Sequence, residues 1–116
     1  MRLRVFYLDD EVDLCQMFHE NFSTPENVIS LYSDPAQALA AVRASPPDLL
    51  FLDYRLPGTT GEDIAVKIGP SVPMVLLTGD LELTKSNIFL RKFSKQPFPF
   101  EEIEALLSEM AKRKAA

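Results

Sequence analysis

Cysteine is almost absent, and so are long apolar runs. Cys15 is the only cysteine among 116 residues, which rules out an intrachain disulfide and a cysteine-rich metal centre. A lone Cys15 reads as a small buried apolar residue. No apolar stretch approaches the roughly 20 residues needed to span a bilayer. The apolar run after Met1-Arg2 is short and no small-residue cleavage site follows, so no signal peptide is expected and the cytoplasm is the default location. Repeats, heptads and low-complexity tracts are missing as well. Positive charge is scarce: the net charge is −5, which argues against a nucleic-acid surface. Basic residues gather only at Arg91-Lys92, Lys95 and Lys112-Arg113-Lys114, and the last group suits a helix C-terminus.

What is present fits one globular domain over residues 1–116, with 47% hydrophobic and 25% charged residues. Apolar runs alternate with helical patterns. Leu3 to Leu8 reads as a strand. Leu14, Cys15, Phe18 and Phe22 recur at helical spacing before Pro25. Val28 to Tyr32 is a second strand, and Ser33-Asp34-Pro35 starts a helix that stops before Pro46-Pro47. Leu49 to Leu52 is a third strand, followed by a loop from Pro57-Gly58 to Gly61 and a short helix closed by Gly69-Pro70. Met74 to Leu77 is a fourth. Leu81 to Phe89 has weak periodicity, Leu90 to Lys95 reads as a polar edge strand, and Ile103, Leu106, Leu107 and Met110 mark an amphipathic helix. Strand and helix alternating five times imply a parallel α/β sheet with helices on both faces and right-handed crossovers.

Two strands end in carboxylates. Asp9-Asp10-Glu11 follows Leu8, and Asp53 follows Leu52. The C-terminal strand ends are where open α/β sheets place ligands. Like charges brought together destabilise the fold; a bound Mg²⁺ relieves this, because it is a hard cation that takes oxygen ligands. A carboxylate beside it is a candidate nucleophile toward a phosphoryl group. Thr78, at the end of the fourth strand, offers a hydroxyl at the same edge, and Lys95 or Gln96 offers a donor from the fifth. Read singly, Asp9 and Asp10 are also a helix cap and first-turn acid, Asp53 a turn residue, and Thr78 a strand end.

These segments together resemble the receiver domain of two-component response regulators: Asp9-Asp10, Asp53 with Leu56-Pro57-Gly58 and Gly61, Leu76 to Gly79, and Gln96-Pro97-Phe98. The resemblance covers essentially the whole chain. It implies a flavodoxin-like doubly wound (βα)5 sheet of strand order 2-1-3-4-5. It also implies a single-domain phosphoprotein that accepts a phosphoryl group on Asp53 from a histidine kinase or phosphotransfer protein, with Mg²⁺ or Mn²⁺ as cofactor. Asp9, Asp10, Asp53 and the backbone carbonyl of Arg55 would hold the metal. Thr78 and a donor from the fifth strand would stabilise the phosphoryl group, and Phe93 would be the aromatic switch. Arg55 and Asp80 fall at positions that tune phosphoryl lifetime, and their opposite charges suggest a pair across the site. No enzymatic turnover is implied beyond self-phosphorylation and slow autodephosphorylation. The partners would be the phosphoryl donor and an output protein or relay, with no direct contact to nucleic acid or membrane and a homodimer left open.

The chain departs from the pattern at its end. The family carries a lysine directly before the proline, usually with a cis bond, where this chain has Gln96. Counted along the strand, Lys95 is then expected to point away from the site and Gln96 to face it. The stretches from Asp53 to Thr78 and from Thr78 to Pro97 are short for the family, so the third and fourth helices are expected to be trimmed. The missing lysine favours an alternative function, a degenerate receiver that binds a protein partner without phosphorylation. A haloacid-dehalogenase-like phosphatase is disfavoured because Arg55 stands where that class needs a second acid. A flavin site is disfavoured because Asp9-Asp10-Glu11 would repel a phosphate. His19, flanked by Phe18 and Glu20, reads as a surface residue and not as a phosphotransfer histidine.

Overall fold

Residues 2–116 are described by a computed structural model. The chain runs β1 (Leu3–Leu8), α1 (Val12–Phe22), β2 (Asn27–Tyr32), α2 (Pro35–Ala44) and β3 (Leu49–Asp53). A small hairpin follows, β4 (Arg55–Leu56) and β5 (Thr59–Thr60), then α3 (Gly61–Ile68), β6 (Met74–Thr78), a 3-10 turn (Leu81–Leu83), β7 (Arg91–Ser94) and α4 (Phe100–Ala115). The main sheet has five strands in the order β2-β1-β3-β6-β7, and every neighbouring pair is parallel. Counting only these five, this is the flavodoxin-like 2-1-3-4-5 order expected from the sequence.

The continuous apolar runs are explained by burial on both faces. Every residue of β3 and of β6 is buried. Tyr7, Phe51 and Leu77 point into one core layer with Phe18 and Phe22 of α1 and Ile103 and Leu106 of α4. Leu8, Leu50 and Leu76 point into the other, with Val42 of α2 and Ile64 of α3. The polar β7 lies at an edge of the sheet, and Arg91 on it is exposed.

Local chemistry sets the helix starts. Asp34 accepts a hydrogen bond from the Gln37 N–H at 3.3 Å with Pro35 at the first helical position. Thr60 accepts from the Asp63 N–H at 3.1 Å. Pro57-Gly58 turns the hairpin, with Gly58 at φ +72°, in the left-handed region that glycine enters freely. Gly61 matters for the site itself. A Cβ there would lie 2.4 Å from the Asp53 carbonyl oxygen, so glycine is what lets α3 begin against the end of β3.

Helices alternate with strands four times, not five. Between β6 and β7 only the 3-10 turn forms. The stretch offers too little apolar periodicity for a packed helix: Leu81 and Leu83 are exposed, and Thr84, Ser86 and Asn87 are weak helix formers. The chain instead crosses without a regular element and buries Thr84 and Phe89. The expected trimming of the fourth helix is therefore complete, while α3 keeps eight residues.

Candidate functional site at the acidic sheet edge

β1 and β3 are neighbours in register, Leu8 beside Leu52, so the residues that follow them emerge together. Carboxylate oxygens of Asp9, Asp10 and Asp53 all lie within 4.8 Å of one another. Asp9 and Asp53 are buried and Asp10 is exposed. Asp10 and Asp53 line an open cleft of about 520 Å³ together with Arg55, Thr78, Lys95 and Gln96, and the fully buried Asp9 lies beneath it. The donor set fits a hard divalent cation: all ligand atoms are oxygens, and the exposed Asp10 leaves room for coordinated water.

Lys95 is the fixed positive charge in this cluster. Its Nζ lies 3.2 Å from Asp53 Oδ1, 3.0 Å from Asp9 Oδ2 and 3.7 Å from Glu11 Oε1. The expectation that Lys95 points away from the site is thus corrected; Gln96 lines the same cleft, but it is Lys95 that contacts Asp53. Asp53, Leu77 and Phe93 are successive partners across β3, β6 and β7, so Phe93 projects from the face that carries Asp53. Lys95 is two residues further and shares that face. The strand-like course persists to Lys95, whose N–H donates to the Thr78 carbonyl at 2.8 Å. Gln96 falls on the other parity. It is exposed, and its backbone N–H and carbonyl engage the Ser94 hydroxyl, both at 3.2 Å. The Gln96–Pro97 bond is cis.

Burial pushes the Asp53 carboxyl up to about 6, helped by the charge of Asp9 and opposed by Lys95. For Lys95, burial works against the ammonium, but Asp9 and Asp53 outweigh it and hold its pKa above the ordinary lysine value. Cys15 is buried and its Sγ donates to the Asp9 carbonyl oxygen at 3.2 Å. Burial, reinforced by Asp9, pushes its thiol up to about 11.

Thr78 is buried at the cleft wall. Its hydroxyl accepts from the Asp80 N–H and donates to the Asp80 carbonyl, each at 3.1 Å. Asp80 does not pair with Arg55 among the described residues. Its Oδ1 accepts the Glu82 N–H at 2.9 Å and caps the 3-10 turn, so the pairing expected across the site is replaced by a local cap. Arg55 is exposed on β4, opposite Thr60. Phe93 is half-buried and packs against the core layer of α1 and α4. His19 is exposed on α1.

One neighbour of the cluster escaped the sequence reading. Tyr7 is fully buried in β1, and its hydroxyl donates to Asp9 Oδ2 at 2.7 Å. Burial first, and then the Asp9 charge, push the phenol's pKa upward. The signal was there: a tyrosine inside an apolar strand, two residues before an aspartate, shares its face.

Comparison with known proteins agrees with this geometry. The family model described as "Response regulator receiver domain" matches residues 5–91. The DNA-binding response regulator MtrA of Mycobacterium tuberculosis is 31% identical, over 97% of this chain and 52% of its own. The transcriptional regulatory protein BaeR of Escherichia coli O6:H1 is 33% identical, over 68% of this chain and 34% of its own. The chain thus spans about half the length of MtrA and a third of BaeR. Among solved structures, the response regulator protein TrrA of Thermotoga maritima, in complex with Mg(2+)-BeF, superposes with a TM-score of 0.82 at 22% identity, covering 95% of this chain and 99% of that one. A CheY-like receiver domain from Methylobacillus flagellatus gives 0.84 at 17% identity, with 95% and 99% covered. At those identities the likeness shows the fold. The family match takes in Asp9, Asp10, Asp53 and Thr78 and stops at the first residue of β7, short of Lys95; the chain belongs to the response regulator receiver domain family.

Proposed function

We propose that this receiver domain accepts a phosphoryl group on Asp53, with a divalent cation of the Mg²⁺ or Mn²⁺ type. The observation that carries this reading is the joint placement of two carboxylates, Asp9 and Asp10, and Lys95 around the buried Asp53. Asp9, Asp10, Asp53 and the backbone carbonyl of Arg55 would hold the cation. When bound, it supplies positive charge to the transferring phosphoryl oxygens. A carboxylate oxygen of Asp53 attacks phosphorus, and the bond from phosphorus to the donor imidazole breaks. The electron pair stays on the imidazole nitrogen, which takes up a proton. Lys95 exchanges its contact with the Asp53 carboxylate for one with the phosphoryl oxygens, a charge-assisted hydrogen bond. Thr78 releases Asp80 and turns its hydroxyl to the phosphoryl group, and Phe93 follows into the space that opens.

The phosphoryl donor is a histidine kinase or phosphotransfer protein, and the acyl phosphate biases a conformational equilibrium that an output protein or relay reads. The domain turns over nothing beyond its own phosphorylation and slow dephosphorylation. Its net charge of −5 disfavours direct nucleic-acid contact. No helix among the described residues is long and apolar enough to cross a membrane, and the cytoplasm, where histidine kinases act, is the proposed location.

The alternative of a phosphorylation-independent binding module rested on a missing lysine. Lys95 at 3.2 Å from Asp53 removes that support. The test is incubation with Mg²⁺ and a small acyl phosphate, followed by intact mass. Wild type is expected to gain one phosphoryl group and Asp53→Asn none. Wild type without the gain would leave the binding module as the better reading, and a Mg²⁺ titration with no thermal stabilisation would point the same way.

A further inference from the structure

We propose that Tyr7 is a positioning residue that, with Lys95, restricts Asp9 to one usable oxygen, and so favours Mg²⁺ over Ca²⁺ at this site. The inference rests on the divalent-cation reading above. Tyr7 and Asp9 lie two residues apart on one face of β1, about 6.6 Å along the strand, a span that a tyrosine side chain covers. The ring cannot drift. It is fully buried and stacks on Phe18, with centroids 4.3 Å apart and planes at 5°.

The lone pairs of Asp9 can be assigned one by one. Oδ2 accepts the Tyr7 O–H at 2.7 Å and the Lys95 Nζ at 3.0 Å. Oδ1 accepts the Glu11 N–H at 2.9 Å. A carboxylate has about four acceptor positions, two on each oxygen. With Lys95 in place Oδ2 is therefore full, and only Oδ1 keeps a position free. Of the two donors on Oδ2, Lys95 also serves Asp53 and is the one that leaves when a phosphoryl group arrives. The Tyr7 hydroxyl has no other partner among the described residues, so it keeps one of the two positions on Oδ2 taken whether or not Lys95 stays.

This matters for cation choice. Ca²⁺ takes six to eight oxygens and readily accepts both oxygens of one carboxylate, whereas Mg²⁺ keeps water and takes carboxylates through single oxygens. A buried carboxylate with one oxygen blocked suits the smaller ion. Tyr7→Phe keeps the ring, the stack and the volume, and frees one position on Oδ2.

Mg²⁺ and Ca²⁺ affinities of the whole chain are measured by calorimetry for wild type and Tyr7→Phe. The preference for Mg²⁺ over Ca²⁺ is expected to fall by about tenfold in the variant, the scale typical of an outer-shell partner. A purely structural role moves both affinities together, so a ratio that stays put overturns the proposal and leaves the metal reading standing. If wild type binds neither ion, the metal reading falls and this proposal falls with it. Should the variant not fold, the wild type still decides. Its buried Tyr7 hydroxyl proton is expected as a slowly exchanging NMR signal that survives Mg²⁺ saturation, and its loss on adding Mg²⁺ overturns the proposal.

Discussion

The acidic sheet edge and the stretch from Gly79 to Leu90 meet at Thr78 and are built in opposite ways. At the edge, strands buried at all but Arg4 deliver Asp9, Asp53 and Thr78 to fixed places, and Lys95, Tyr7 and the Glu11 N–H hold the carboxylates. Beyond Thr78 there is a 3-10 turn with exposed leucines, then irregular chain pinned by a few groups, among them the Thr84 hydroxyl donating to Glu62. The comparison separates two requirements of a receiver. In the function proposed above, chemistry at Asp53 would rest on the buried strand ends, whereas passing a signal to a partner would call on elements that move; between β6 and β7 this chain forms only a 3-10 turn.

Stability should divide along the same line. Phe51→Ala removes a ring from the layer under the site and is expected to cost about 3–5 kcal/mol. Leu83→Ala, on the turn, is expected to stay within about 0.5 kcal/mol. Urea unfolding of both variants checks the contrast, and similar losses would break it.

Reactivity sharpens the comparison next. Lys95→Ala should slow acyl-phosphate labelling of Asp53 by about a hundredfold, the scale of losing one electrostatic donor to a developing charge. Gln96→Ala should leave the rate nearly unchanged. The reverse ranking, read from labelling time courses, would restore glutamine as the facing residue.

A smaller effect concerns pH. Asp53 titrates at about 6 in the fold against 3.8 for the unperturbed group. Between these values the native state holds the extra proton, so its contribution to stability is complete below about 4 and is lost as pH rises through about 6. In metal-free buffer, Asp53→Asn should therefore gain on wild type in urea midpoint as pH rises from 4 to 7, and added Mg²⁺ should narrow the gap. A gap that shrinks with rising pH would contradict the assignment.

A local effect belongs to the crossing after the 3-10 turn. Thr84→Val removes the donor to Glu62 and should cost about 1 kcal/mol. Faster amide exchange should appear in the stretch from Gly79 to Leu90 while β1 and β3 remain protected.

Most of the fold could be read from the sequence because its signals are local. Runs such as Leu49 to Leu52 and Met74 to Leu77 have the composition of doubly covered strands, and Asp34-Pro35 marks a helix start. The absent helix was foreshadowed by weak periodicity around Asn87. The sequence misplaces Lys95 because the lysine of the family pattern sits directly before the proline, the position of Gln96 here. The sheet register, which ties Phe93 to Leu77 and Asp53, is a tertiary fact, and it reverses the assignment. Asp80 differs from expectation for a similar reason: its carboxylate caps the Glu82 N–H two residues on, a local contact that the charge of Arg55 does not displace.

The central claim is that Asp53, flanked by Lys95 and the acidic pair, takes the phosphoryl group. The most direct measurement is borohydride reduction of acyl-phosphate-treated protein followed by peptide sequencing, which converts a phosphorylated aspartate to homoserine. The account predicts homoserine at position 53 only, dependent on Mg²⁺. An unmodified Asp53, or conversion at Asp9 or Asp10 instead, would contradict it.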